Sequence, residues 1–275
     1  MKKRLIILLI FLLVGLNLTA TDIVSIFSRW EAASGAQRVR IGNELLAKGY
    51  EEDLISDLRS YHVNQVIESE ARIYDMMSYY YYVNDQFDDA LSTALMALPL
   101  CEKCSDDELL ADCINNIGIL YQRKGLFGQA ITYMERVYKL DLKEKNKSGM
   151  SSTMNNLATL YLATGQAETA LSYILPAIDM ERESGNSERL AIRLGLASDI
   201  WLAMGQTEKA LSCVNEAYKL DRDAKREEKS AIRLSQKAAV LIAIEEDIEA
   251  EKCLNEAIPI LETKHDITSL AICYN

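Results

Sequence analysis

The chain has 275 residues, of which 49% are hydrophobic and 26% are charged, and its formal net charge at pH 7 is −11. This apolar content is sufficient for a large buried core, whereas the acidic balance argues against nucleic-acid binding through this chain. The only histidines are His62 and His265, and we find no serine–histidine–aspartate set, phosphate-binding glycine loop or metal cluster. No catalytic residue is therefore predicted.

The first 20 residues predict a secretory signal peptide. Basic residues at positions 2–4 precede an apolar run from Leu5 to Leu18, and the small residue Ala20 follows. We expect cleavage after Ala20, which leaves a net charge of −14 because the leader holds three basic residues and no acidic one. The apolar run is short for a transmembrane helix, although an uncleaved anchor is the alternative. The sequence therefore predicts export to the periplasm.

Residues 21–67 predict divergent N-terminal capping helices. Apolar residues at helical spacing indicate two short helices, one at Ile23, Ile26, Phe27 and Trp30 and the other at Val39, Ile41, Leu45 and Leu46. This segment does not fit the repeat that follows it. Since an array of repeats must shield its first apolar face, a terminal cap is the natural interpretation.

The chain repeats every 40 residues from residue 68 to residue 267. The surrounding sequence recurs with the period, as in NNIGILY at Asn115 and NNLATLY at Asn155, and so does an alanine, at Ala90, Ala130, Ala170, Ala210 and Ala250. A fixed period of this size is typical of a solenoid. Solenoids present extended binding surfaces, so the period favours a binding function over catalysis.

Each period predicts two helices. In the second repeat, Ile114, Ile117 and Tyr121 fall at helical spacing and form one apolar stripe. Gly125 then supplies the left-handed conformation that ends a helix, and a second stripe begins at Phe127. Small residues let the two backbones approach closely; they are the alanine column together with Gly118, Ala158, Ser198 and Ala238. The fold is therefore predicted to be all-α.

This pattern of a large residue, Leu-Gly, Tyr, Gly and Ala resembles the tetratricopeptide repeat over residues 68–275, in a long form similar to kinesin light chains and bacterial peptide-sensing regulators. The resemblance implies a right-handed α-solenoid of helix–turn–helix repeats. The match is weaker at the ends, where Asp85 and Glu245 stand at the glycine position. The family's common period is shorter by about six residues, and we expect these to lengthen the second helix and its following loop.

Three cysteines lie close together near the first repeat. Cys101 and Cys104 form the sequence CEKC, and Cys113 begins the next helix. In an oxidising compartment a disulfide among them is one interpretation, and ordinary thiols are the other. A redox role is disfavoured because the thioredoxin-like context of such a motif is absent, and zinc usually requires four ligands. No metal or cofactor is predicted.

The resemblance implies that the first helix of each pair lines a concave, peptide-binding face. The residues predicted to point there are Asp75, Tyr79, Tyr82, Asn115, Gln122, Asn155, Thr159 and Asp199. A carboxamide can match both the C=O and the N–H of an extended peptide, as asparagines at this site do in kinesin-light-chain-like repeats. Gly195 and Ser235 break this ladder. The alternative is that Asn115 and Asn155 hydrogen-bond between neighbouring helices.

The run from Tyr79 to Tyr82 is unlike any other segment of the chain. Because four consecutive residues cover all sides of a helix, Tyr80 and Tyr81 are predicted to be core residues. Tyr79 and Tyr82 are predicted to face the groove, where amphipathic rings suit peptide contact, with core packing as the alternative. The acidic ends of the second helices are predicted to be solvated; they are Asp141, Glu181 and Asp221.

Asn275 is in register with Asn115 and Asn155, so residues 268–275 are predicted to begin a sixth repeat helix. We expect the chain to continue, because exported bacterial proteins that resemble it often continue into a membrane helix, a coiled coil and a cytoplasmic DNA-binding domain. The chain is then the sensing half of a membrane-anchored signalling or transcriptional regulator that binds a protein or extended peptide. The alternative is a free periplasmic adaptor that scaffolds an envelope complex. A third interpretation is self-association through the uncovered fifth repeat.

Overall fold

The structure is a computed structural model that describes residues 67–104, 106–264 and 270. The predicted signal peptide lies outside the described residues, as does the predicted cap at 21–67 except for its last residue. The predicted start of a sixth repeat helix at 268–275 also lies outside them, apart from Leu270.

The described part of the chain is all-α and contains no strand, which confirms the predicted fold class of a helical repeat. Odd-numbered helices below are the first members of successive pairs, and even-numbered helices are the second members. The helices are α1 Ile67–Val83, α2 Phe87–Cys101, α3 Asp107–Arg123, α4 Phe127–Lys143, α5 Lys147–Ala163, α6 Ala167–Ser184, α7 Ser187–Ala203, α8 Thr207–Asp223, α9 Glu227–Ala243 and α10 Asp247–Lys264.

Residues with positive φ recur every 20 residues in the described turns, after first and second helices alike. They are Asp85, Gly125, Lys145, Gly165, Gly185, Gly205, Lys225 and Glu245. Asp85 and Glu245, with φ of 59° and 63°, keep the left-handed turn that Gly125 makes at 70°, at a cost of roughly 1–2 kcal/mol each. The extra residues of the long period are shared between the helices, since α3 and α4 both have 17 residues, rather than placed in the second helix and its loop.

The helices belong to two compact units, one ending at Tyr133 and the other beginning at Met134. In the first unit, α1, α2 and α3 share a core that includes Ala90 and Ile117. In the second unit, one core cluster joins α5, α6, α7 and α8, and another joins α9 and α10, against which Leu270 packs.

A hydroxyl hydrogen bond marks the close contact between the two helices of a pair. The Ser78 hydroxyl of α1 donates to the carbonyl oxygen of Ala90 in α2 at 2.9 Å. In the second unit, Ser198 of α7 donates to the carbonyl oxygen of Ala210 in α8 at the same distance of 2.9 Å. Both alanines are fully buried. The small-residue column and the alanine column therefore meet at this contact, as predicted.

Candidate binding face

A pocket opens between α1 and α3 in the first unit, on the surface that carries the predicted ligand-facing residues. Its volume is about 110 Å³, and it is lined by Ser78, Tyr79, Tyr82, Asn116, Ile119 and Leu120. We call the surface formed by α1 and α3 in the first unit, and that formed by α5, α7 and α9 in the second, the first-helix face of each unit. The structure thus places Tyr79 and Tyr82 side by side on the wall of this pocket.

Polar contacts hold both ends of this pocket. At one end the Asn116 side-chain amide donates to Asp75 Oδ1 at 2.6 Å. At the other end the Tyr82 hydroxyl accepts a hydrogen bond from Arg123 Nη2 at 3.0 Å. The ring centroids of Tyr79 and Tyr82 lie 6.5 Å apart, and that of Tyr82 lies 6.0 Å from Phe87. The aromatic wall is therefore braced by neighbouring helices.

The tyrosines also contribute to the core of the first unit. Tyr79, Tyr81 and Tyr82 all pack against it while remaining partly exposed. Tyr79 and Tyr82 thus line the pocket and pack against the core at the same time. Tyr80 is partly exposed, and its ring meets that of Tyr81 edge-to-face at 5.7 Å.

On α3 the sequence predicts that Asn115 faces the ligand, whereas its neighbour Asn116 lines the pocket. Asn115 and Gln122 are partly exposed on this helix, but the pocket is lined by Asn116. One residue corresponds to a rotation of about 100° around a helix of 3.6 residues per turn. The NN pair in the repeat was the available signal, and it did not distinguish the two side chains.

The acidic ends of second helices in the second unit are buried, so the prediction that they are solvated is wrong. Asp141, Glu181 and Asp221 are 5%, 3% and 1% exposed. The next first helix covers each of them and provides a polar partner 12 residues later in the chain. Thr153 Oγ1 donates to Asp141 at 2.9 Å, Arg193 Nη2 lies 3.7 Å from Glu181, and Arg233 Nε donates to Asp221 at 3.2 Å.

Each buried carboxylate has further partners that satisfy its oxygens. The Asn146 amide donates to Asp141 at 3.1 Å, Arg189 Nε lies 3.1 Å from Glu181, and Arg226 Nε donates to Asp221 at 2.8 Å. Burial raises the pKa of Asp141, and the hydrogen bonds from Thr153 and Asn146 oppose that rise. Buried charges persist only with such partners. We call these three carboxylates and their partners the polar column, and it contributes to the packing between adjacent helix pairs.

The break in the asparagine ladder at Gly195 has a structural reason. A Cβ atom at Gly195 would overlap the guanidinium of Arg233, which reaches across from α9. A Cβ atom at Gly149 would similarly overlap the carboxylate of Asp141. Gly195 and Gly149 therefore leave space for the buried side chains of Arg233 and Asp141. At position 195 this packing explains why no asparagine is present.

Asp199 lies in a hydrogen-bonded network on the same face. Gln236 Nε2 donates to Asp199 Oδ2 at 2.7 Å, and Gln236 Oε1 accepts from Arg233 Nη1 at 2.6 Å. Burial raises the pKa of Asp199 to about 6, against the lowering effects of Gln236 and Arg233. This predicted ligand-facing residue is engaged within the protein.

Asn155 and Thr159, the remaining predicted residues, lie on α5 and are partly exposed. The Thr159 hydroxyl donates to the backbone oxygen of Asn155 at 3.0 Å. The side-chain oxygen of Asn155 is buried and has no hydrogen-bond partner. The alternative role for this residue, a hydrogen bond to a neighbouring helix, is therefore not made through that oxygen.

Two other kinds of site are absent from the described residues. No described helix is both long and apolar enough to cross a membrane. No group of three or more histidine, cysteine, aspartate or glutamate side chains is placed there to hold a metal ion.

Comparison with protein families matches residues 111–144 and 149–223 to models of the tetratricopeptide repeat. These segments are tetratricopeptide repeats. Comparison with curated proteins gave no match. The repeats cover α3 and α4 and, after them, α5 to α8. Such repeats bind proteins or peptides and are typically non-catalytic scaffolds.

Solved structures with similar folds include BtubC (BKLC) from P. vanneervenii, with 16% identity, a TM-score of 0.66, and 84% of this chain and 93% of that chain covered. A Rap protein complexed with Competence and Sporulation Factor has 12% identity and a TM-score of 0.67, with 86% and 65% covered. A STAND signal-transduction ATPase from Pyrococcus horikoshii, with a tetratricopeptide repeat sensor, has 15% identity and a TM-score of 0.64, with 90% and 41% covered. These likenesses support an all-α helical repeat solenoid.

Proposed function

We propose that this chain is a non-catalytic scaffold that binds a protein or an extended peptide on the first-helix face. The observation that carries the proposal is the pocket between α1 and α3. At about 110 Å³ it is smaller than the roughly 300–1,000 Å³ of typical small-molecule sites. It therefore suits one side chain of a peptide better than a cofactor.

The chemistry of the pocket supports a peptide side chain with an apolar body. Tyr79, Tyr82 and Ile119 provide apolar surface that is already held in place, so little side-chain freedom is lost on binding. Asn116 adds a carboxamide, whose oxygen is an acceptor for a backbone N–H. Arg123 and Asp75 place opposite charges at the two ends, which would orient an extended chain.

We further propose that the protein is exported and acts in the bacterial envelope as the sensing part of a signalling or transcriptional regulator. The support is the leader-like sequence at 1–20 together with two fold neighbours, the Rap protein complexed with its factor and the STAND ATPase with a repeat sensor. The alternative is a free periplasmic adaptor that scaffolds an envelope complex. Subcellular fractionation of source cells tests the location, and recovery in the cytoplasm would contradict it.

A selection from random peptides displayed on phage tests the binding function. We expect selected peptides to bind the full chain and to lose at least tenfold in affinity on Tyr82→Ala, because truncating a central aromatic contact has large effects. Tyr218→Ala is the matched control, since Tyr218 is a partly exposed tyrosine on the second helix α8. Equal affinity for the wild type and the Tyr82→Ala variant would contradict the proposed site.

A further inference from the structure

Two buried cysteines lie on the neighbouring helices α2 and α3 of the first unit. Cys101 is the last residue of α2 and is fully buried, and Cys113 lies in α3 and is 1% exposed. Both belong to the same core cluster, and both are thiols in this structure. The Cys113 thiol also touches α2 directly, because it donates to the carbonyl oxygen of Ala94 at 3.8 Å. Both side chains are therefore enclosed where α2 and α3 pack together.

The register of the repeat directs these two side chains toward each other. At each of the three following interfaces between helix pairs, the residues at the same two positions are in side-chain contact. The pairs are Asp141 with Thr153 at 2.9 Å, Glu181 with Arg193 at 3.7 Å, and Asp221 with Arg233 at 3.2 Å. Cys101 and Cys113 stand exactly one repeat before the first of these pairs. The repeat therefore places the two cysteines on opposite sides of one interface.

A small change of side-chain conformation brings the two sulfurs together. A cysteine Sγ is bonded to Cβ as the Oγ1 of a threonine is, and Thr153 Oγ1 reaches the carboxylate opposite it at the next interface. The Cβ atoms of a disulfide are about 3.8 Å apart, so the Cys113 sulfur must turn away from Ala94. Because a thiol is a weak hydrogen-bond donor, little is lost when it does so.

The third cysteine of this region has different surroundings. Cys104 lies in the turn after α2, where its backbone N–H donates to the carbonyl oxygens of Leu100 and Cys101 at 3.1 Å. It is partly exposed, whereas the Cys101 side chain is turned into the core. Cys104 is thus the neighbour of Cys101 along the chain, and Cys113 is its neighbour across the interface.

We propose that Cys101 and Cys113 form a disulfide when the chain folds in an oxidising compartment, and that Cys104 remains a thiol. The bond takes the position that a hydrogen bond or an ion pair occupies at the three later interfaces. It ties α2 to α3 and, through α2, restrains α1 against α3, the two helices that border the pocket. The inference concerns a covalent modification, and it goes beyond the proposed binding function without resting on it.

The oxidant is a second disulfide, carried by an oxidoreductase of that compartment or by glutathione. One cysteine thiolate attacks a sulfur of that disulfide, forms a mixed disulfide and releases the first thiol. The other cysteine thiolate then attacks the mixed disulfide, so that the Cys101–Cys113 bond forms and the second thiol leaves. The two cysteines lose two hydrogens in total, and the oxidant gains them. Because the folded interface encloses both side chains, the exchange takes place before α3 packs on α2.

Disulfide mapping of the full chain tests the pairing. The reduced, unfolded chain is refolded to its native helical circular dichroism in a buffer of reduced and oxidised glutathione, and remaining thiols are alkylated. Without reduction, trypsin then cleaves after Lys103 and Asp-N protease before Asp112, so the three cysteines fall on separate peptides. We expect the peptides with Cys101 and Cys113 to be joined and Cys104 to be alkylated. Alkylation of Cys101 and Cys113, or a bond from either to Cys104, would overturn the proposal.

A thermal unfolding comparison tests whether the native interface accommodates the bond. We expect the oxidised wild type to have a Tm about 5–10 °C above that of the same protein after reduction, because a cross-link restricts the unfolded chain. Cys104→Ala is the matched control and should keep this difference, whereas Cys113→Ala should abolish it. Since the two wild-type forms are compared directly, the test does not depend on how well Cys113→Ala folds. Equal Tm values for these forms, or loss of the difference in Cys104→Ala, would contradict the pairing.

Discussion

The α1–α3 region and the α7–α9 region occupy equivalent positions of the repeat, 120 residues apart. Their side chains are nevertheless arranged in different ways. In the first, Tyr79, Tyr82 and Asn116 border an open pocket. In the second, the equivalent residues are Asp199, Leu202 and Gln236, and the Gln236 amide spans the space to Asp199. A common helical frame thus gives either a binding pocket or a closed polar network, and a few side chains decide which.

The closed region depends most strongly on its buried carboxylate. Asp221→Ala would leave Arg226 and Arg233 without the group that both contact. We expect a loss of about 3–5 kcal/mol in the free energy of unfolding, because an uncompensated charge remains buried. Asp223→Ala is the control, since this neighbouring aspartate is exposed. Chemical denaturation measures both, and equal small losses would show that the network does not hold the region closed.

Gly195, against which Arg233 packs, offers a second way to disrupt the hydrogen bonds among Arg233, Gln236 and Asp199. Gly195→Ala forces the guanidinium away from its place, and we expect a loss of about 1–3 kcal/mol, as for other overpacked contacts. The matched change is Gly128→Ala in α4, where an added Cβ would meet nothing within 4 Å. That variant should be neutral or more stable, because alanine favours a helix. A thermal unfolding series in which both variants behave alike would contradict the close packing of Arg233 against Gly195.

Asp199 gives the closed region a pH dependence. Burial raises the pKa of Asp199 to about 6 in the folded chain, from an ordinary value of 3.8, so the folded state binds a proton more tightly than the unfolded state. Its contribution to stability is therefore greatest below about pH 4 and is lost as the pH rises to about 6. Asp199→Asn keeps the acceptor for Gln236 and should stabilise the protein at pH 7 by about 1–2 kcal/mol.

The check on this prediction is the stability measured from pH 4 to pH 7 for the wild type and the variant. The difference between them should grow as the pH rises through this range. A constant difference would mean that Asp199 does not titrate there. Thr159, at the same register one repeat earlier, carries no charge, so Thr159→Asn should show no such trend.

The helical frame was predictable because its signals are local. The alanine column and the glycine turns set the 40-residue period, and even Asp85 and Glu245 adopt the left-handed turn of the glycines that they replace. Tyr79 and Tyr82 could be placed near each other for the same reason, since neighbours on one helix follow from spacing alone.

The buried polar column was not predictable in this way. Whether Asp221 is solvated depends on the next helix, which covers it and supplies Arg233 from 12 residues further along the chain. Acidic residues at helix ends are usually exposed, so the pattern favoured the wrong interpretation. The same packing explains why Gly195 interrupts the asparagine ladder, which the sequence showed without its cause.

The most direct test of whether the α1–α3 pocket binds a partner uses a photoreactive benzoylphenylalanine at two equivalent positions of the full chain in source cells. One is Ile119, which lines the open pocket, and the other is Ala239, its counterpart in the closed region. We expect a crosslinked protein or peptide partner from position 119 and little or none from position 239. Equal crosslinking from both positions, or crosslinking from position 239 alone, would contradict it.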